Sequence, residues 1–136
     1  MLFRSRVGIG EMLAYAPALP VAELAGLVRS ARAAVLPVVS EAAGLPVIEA
    51  LACGTPVVAS AVGPLPELVG AAGLLVEPRD PGRLAVALST IWTDDTVHGG
   101  LAATARERAE SETRTWADVA RETRAVYAEV ARPAGI

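Results

Sequence analysis

At 136 residues, 53% hydrophobic and 20% charged, with a mean hydropathy of +0.45, the chain is one domain's worth and apolar enough to build a core, which excludes disorder. A formal net charge of -3 and a pI near 5.2 leave no cationic face to neutralise a run of phosphates, so nucleic acid is excluded as a partner. The lone Cys53 excludes an intrachain disulfide and a Cys-rich zinc site, no apolar run reaches the roughly 20 residues of a membrane helix, and nothing near the start reads as a signal peptide, so the reading is cytoplasmic.

Residues 1–20 match no clear pattern, and Arg4 and Arg6 within them receive no role. From Val21 the sequence VAELAGLVRSA repeats apolar side chains at helical spacing, predicting a helix over 21–31. AAVLPVV follows as a short buried strand ended by Pro37, then a small-residue loop from Ser40 to Leu45. Pro46 opens and Gly54 closes a second helix. The alternation continues with a strand over Pro56–Ser60, a short helix over Leu65–Val69 and a strand over Gly73–Val76. Asp80 is placed to cap a helix that starts at Pro81 and runs through RLAVALSTIW.

Helix and strand alternating on short connections require a parallel sheet covered by helices, so the fold class is α/β, Rossmann-like, with helices on both faces. Residues 21–93 form this unit. Residues 94–136 read as C-terminal helices over 101–112 and 116–131, separated at Thr113–Thr115 and packed on the same sheet layer. His98 falls in a loop beside Gly99 and Gly100, Cys53 packs in the core, and Trp92 and Trp116 anchor the terminal helices.

In an open parallel sheet the ligand crevice lies beyond the carboxyl ends of the strands, which singles out the loop from Val38 to Leu45. No Ser, Thr, Asp or Asn stands at Gly44 or Leu45, so the helix at Pro46 starts without a side-chain cap. Water or an anion then satisfies its N–H groups, and Gly44 lets a ligand approach the backbone. Two carboxylates flank this point, Glu41 in the loop and Glu49 about one turn into the helix. Carboxylates accept hydrogen bonds only, so the pair suits the hydroxyls of a sugar and a ribose; the helix dipole alone also accounts for Glu49.

The run S-E-A-A-G-L-P-V-I-E-A-L-A-C-G-T-P-V-V-A-S from Ser40 to Ser60, continued by G-P-L-P-E-L-V-G and G-L-L-V-E-P-R-D-P, resembles the signature of the retaining glycosyltransferases of group 1, family 4. The resemblance covers residues 21–93. It implies the C-terminal, donor-binding half of a two-domain GT-B architecture. Glu41 and Glu49 then correspond to the E-x7-E motif. By that resemblance Glu41 contacts hydroxyls of the transferred sugar as the catalytic-site glutamate, Glu49 holds the ribose, and the backbone amides of Ala42, Ala43, Gly44 and Leu45 meet sugar and diphosphate. Glu67 matches a glutamate of the next loop.

Ala42 and Ala43 depart from the family, where Gly and an aromatic are usual, and the family's diphosphate-gripping Arg and Lys fall outside the matching stretch. The implied substrate is a nucleotide-diphosphate sugar, with no cofactor and no metal. The implied partner is an acceptor-domain polypeptide or a second copy. The alternative reading is a non-catalytic subunit that keeps the fold. A complete enzyme acting on a membrane-borne acceptor sits peripherally at that membrane.

Overall fold

The computed structural model describes residues 8–16, 18–111 and 115–131. Arg4, Arg6 and most of the expected break at Thr113–Thr115 lie outside them. A 3-10 turn at Gly10–Met12 precedes α1 (Val21–Ser30), β1 (Ala34–Leu36), α2 (Leu45–Ala52), β2 (Val57–Ser60) and α3 (Leu65–Val69). A second 3-10 turn, Gly70–Ala72, leads to β3 (Gly73–Val76), α4 (Pro81–Thr93), α5 (Asp95–Ser111) and α6 (Trp116–Val130). The three strands form one parallel sheet in the order β1-β2-β3, with Ala34 beside Val57 and Val57 beside Gly73. Every element expected before residue 94 is present within a residue or so of its expected bounds.

Side chains alternate across β2, and each face meets its own helices. Val57 and Ala59 join Val47, Ala50 and Leu51 of α2, Leu65 and Val69 of α3, and Ala105 of α5 in one buried cluster. Val58 faces the other way, onto Val76, Ala87 and Ile91, with Leu84 and Leu88 alongside. Helices therefore cover both faces. β2 is buried along its whole length, as the central strand of a parallel sheet must be. Burying a side chain such as Val57 or Val58 completely is worth about 1.5–3 kcal/mol.

The C-terminal third differs from expectation in three ways. Asp94 accepts from the backbone N–H groups of Thr96 and Val97 at 3.0 Å each, so α5 begins at Asp95 and swallows His98, Gly99 and Gly100. A capping carboxylate at Asp94, directly after the end of α4, outweighs two glycines. α5 packs on α2, α4 and the Gly70–Ala72 turn, but α6 has no buried residue. Trp92 and Trp116 are 71% and 87% exposed, so neither anchors a helix to the sheet. Cys53 is only half-buried, at the end of α2, with its thiol 3.8 Å from the Ala25 carbonyl.

Candidate functional site

The site is built where β1 ends. Pro37 stops the strand, and the loop that follows turns into α2 through Gly44, whose φ of +68° is left-handed. Gly44 is buried, and a Cβ there would stand 2.4 Å from Leu68 Cδ1 and 3.0 Å from Leu65 Cδ2. Neither Ala42 nor Ala43 has a positive φ, so alanine fits both positions without strain. The loop after β2 comes equally close: a Cβ on Gly63, itself at φ +51°, would lie 2.3 Å from the Glu41 carbonyl oxygen. Gly63 was not singled out by sequence reasoning. Its signal is the Gly63-Pro64 dipeptide, which marks a turn directly behind a strand.

Within this clamped loop one oxygen of Glu41, Oε1, accepts from the N–H groups of Ala42, Ala43 and Gly44 at 3.1, 3.1 and 3.0 Å. These bonds, from Gly44 first and then Ala43, hold the carboxyl below its ordinary range, partial desolvation opposes them, and the Ala42 bond adds to the lowering. The expectation that this helix starts without a side-chain cap holds, since the three N–H groups taken by Glu41 belong to the loop up to Gly44 and no side chain bonds an amide of the first turn of α2. Glu41 is too far upstream to be a cap in the usual position, yet its flexible side chain folds back over three successive amides. The first turn of α2 needs little more, since Pro46 has no N–H and Val47 and Ile48 both donate to the Gly44 carbonyl, at 3.0 and 3.2 Å.

Glu49 lies on α2 outside the buried stripe of Val47, Ala50 and Leu51, and is exposed. Because α2 starts at Leu45, one residue before the expected Pro46, Glu49 belongs to the second turn and the first turn holds no acidic residue. The helix dipole, which fades beyond the first turn, therefore no longer accounts for this carboxylate. Glu67, by contrast, is an exposed first-turn residue of α3, where the dipole is a sufficient reason for it. The loop thus combines three convergent N–H donors, one carboxylate pinned over them and a second carboxylate on the next helix. That set can hold hydroxyls through the carboxylates and an oxyanion through the amides.

A second polar cluster lies away from this loop and serves the fold. Arg32, between α1 and β1, donates through Nε to the Ile91 carbonyl at 2.8 Å and pairs through Nη2 with Asp95 Oδ1 at 2.6 Å. His98 Nε2 is 3.0 Å from the Arg32 carbonyl. His98 is thus a half-buried helix residue tied to the start of β1. Among the described residues no group of three or more His, Cys, Asp or Glu is arranged to hold a metal ion, and no helix is long and apolar enough to cross a membrane.

A family model described as "Glycosyl transferases group 1" matches residues 6–94, well over half the chain. Among curated proteins, a D-inositol 3-phosphate glycosyltransferase of Frankia alni is 41% identical over 132 residues, covering 96% of this chain and 32% of its own length. An MMP alpha-(1->4)-mannosyltransferase of Mycolicibacterium hassiacum is 38% identical over 126 residues, covering 90% of this chain and 30% of its own. Among solved structures, sucrose-phosphate synthase from Thermosynechococcus elongatus superposes with a TM-score of 0.78 at 33% identity, over 93% of this chain and 32% of that one. The chain thus spans about a third of the length of these relatives.

Proposed function

Since the chain belongs to the group 1 glycosyltransferases, we propose that it is the donor-binding portion of a glycosyltransferase and holds a nucleotide-diphosphate sugar at the β1–α2 loop. The observation that carries this is the pairing of the Glu41-capped amides with a Glu49 that neither burial nor the helix dipole explains. In this reading Glu49 accepts from the ribose hydroxyls, Glu41 accepts from hydroxyls of the transferred sugar, and the amides of Ala42, Ala43, Gly44 and Leu45 face the sugar and the diphosphate. Amides aimed at the diphosphate stabilise the charge that develops on it as the leaving group. No metal and no cofactor are assigned a part, and transfer proceeds with retention at the sugar carbon.

The names of the matched relatives support a donor role for this segment. They specify different products or acceptors, an inositol phosphate, an MMP mannosyl linkage and a sucrose phosphate, yet about a third of each protein matches this one chain. The shared segment then serves what such reactions have in common, the activated sugar. The acceptor is bound by a partner or further domain of acceptor-binding type, and the reaction takes place in the cytoplasm, at a membrane surface where the acceptor is lipid-borne.

Titration calorimetry with UDP, GDP and ADP, each with and without its sugar, tests this. One nucleotide is expected to bind, and Glu49→Ala to weaken it by roughly tenfold or more, the loss of a charge-assisted bond. A folded chain that binds none of them, or binds one equally well without Glu49, overturns the reading.

A further inference from the structure

The three amides of the loop converge on a single oxygen, Glu41 Oε1, at 3.0–3.1 Å. Three N–H groups aimed at one point form a concave anion cradle, and that geometry belongs to the backbone and not to the side chain it holds. The backbone is fixed independently of Glu41's carboxylate. Gly63 abuts the Glu41 carbonyl from the β2 side, and Gly44 is wedged against Leu65 and Leu68. The carboxylate itself sits on a flexible stem in a half-buried residue, so it has room to leave. An oxygen of a bound diphosphate and Glu41 Oε1 cannot accept the same three N–H groups at once.

We infer that Glu41 is a displaceable placeholder: a diphosphate oxygen takes over the amides of Ala42, Ala43 and Gly44, and the released Glu41 carboxylate turns to the donor's hydroxyls. This rests on the reading that the loop meets a nucleotide sugar. It makes Glu41 a positioning residue for the cradle before it touches substrate. The exchange is anion for anion, since Glu41 stays ionised well below neutral pH, so it needs no proton uptake and leaves the cradle never without a negative partner. Its consequence is opposite in sign to a simple sugar contact: Glu41 opposes binding of the bare anion while favouring the sugar.

Inorganic pyrophosphate and amide-resolved NMR of the whole chain test it. Across acid pH without the probe, the amides of residues 42–44 are expected to shift together with a midpoint below the ordinary glutamate value. With saturating pyrophosphate these amides should stop following Glu41, and the Glu41 carboxyl midpoint should rise. Glu41→Ala should bind pyrophosphate roughly tenfold more tightly than the wild type, the worth of one charge-assisted bond no longer in competition. Pyrophosphate binding with the amides still titrating alongside Glu41 would show a charge effect at a distance and overturn the exchange. Equal affinity in Glu41→Ala, or no pyrophosphate binding by either chain, overturns it too. The Glu49-dependent nucleotide binding is measured separately, so a failed exchange and a failed donor reading remain distinct.

Discussion

The carbonyl oxygen of Glu41 lies 2.3 Å from where a Cβ on Gly63 would stand, so the loops that follow β1 and β2 touch backbone to backbone. Gly63 also holds a φ of +51°, which an L side chain adopts only under strain. Gly63→Ala is therefore expected to destabilise the fold by about 1–3 kcal/mol and to push the Glu41 loop out of register. Thermal unfolding and nucleotide calorimetry on this variant check it. Unchanged stability together with unchanged binding would show that the two loops are independent.

Gly44 meets side chains instead of backbone, which predicts a different response. Its added Cβ would clash with Leu68 Cδ1 at 2.4 Å, the far end of a flexible and only half-buried side chain. Gly44→Ala pays for both the clash and the positive φ, together about 1–3 kcal/mol. Adding Leu68→Ala should return part of that loss, because it removes the clash and leaves the backbone strain. Denaturant unfolding of the two single variants and the double variant reads the coupling directly. Strict additivity would mean that the backbone strain alone carries the cost.

Almost all of the α/β order could be read from the chain because its signals are local. Pro46, Asp80 and Pro81 bracket helices whatever packs around them, and β-branched runs such as Val57-Val58 have few places to go but a central strand. The site was legible as a pair of glutamates and a loop, but the bond pattern within it was not. Nothing in the order of residues 40–45 shows that Glu41 folds back across the loop to the amides just ahead of an uncapped helix. Long-range contacts escaped for the same reason. Nothing near Trp92 or Trp116 in sequence shows that their surroundings leave them exposed, and Arg32 finds Asp95 and Ile91 some sixty positions away.

That Arg32 cluster carries the next expectation. The Ile91 carbonyl belongs to a residue only 2% exposed, and Arg32 Nε is its donor. Arg32→Ala leaves this acceptor unsatisfied and should cost about 1–3 kcal/mol in unfolding free energy. An Arg32→Ala protein as stable as the wild type in urea titration would show that water replaces the guanidinium there without loss.

Asp95 gives the cluster a pH dependence of definite sign. Its carboxyl is held below the ordinary value, first by the hydrogen bond from Arg32, then by that residue's charge, with His98 adding to the effect and desolvation opposing it. A lowered folded value means the unfolded chain takes up the proton first as pH falls. The contribution is full above the ordinary aspartate value and is lost as pH drops through the lowered one. Asp95→Asn should remove the contribution present at neutral pH and flatten the acid limb below the ordinary aspartate value, leaving the pH dependence above that value unchanged. An acid limb of the same steepness in the variant would place the dependence elsewhere, with Glu41, whose carboxyl is lowered too, as the first group to test.

Helix α6 is capped well and packed poorly. Thr115 and Asp118 form a reciprocal capping box, yet no residue from Trp116 to Val130 is buried. A helix of 15 residues without a packed face is marginal in water, so its cap decides only its local helicity. Ending the chain after Ser111 should leave the melting temperature of the remainder within a degree or two, because the buried clusters draw nothing from α6. Circular dichroism of the shortened chain measures this. A large drop would mean that α6 packs on the core in solution.

The edge of the sheet at β1 supplies the last expectation. Among the described residues β1 pairs only with β2, and beside it runs an apolar groove of about 1150 Å³ whose walls include Leu13, Leu27, Val35 and Trp92. All four are more than two fifths exposed. A strand edge left open among the described residues, next to such a surface, invites another chain, such as a second copy. The purified chain should therefore associate as its concentration rises, and Val35→Glu combined with Trp92→Glu should suppress the association while leaving β2 and both buried clusters in place. Light scattering across a wide concentration range decides the matter: a wild-type chain that stays monodisperse and monomeric at high concentration would mean that this edge is covered from within the same molecule.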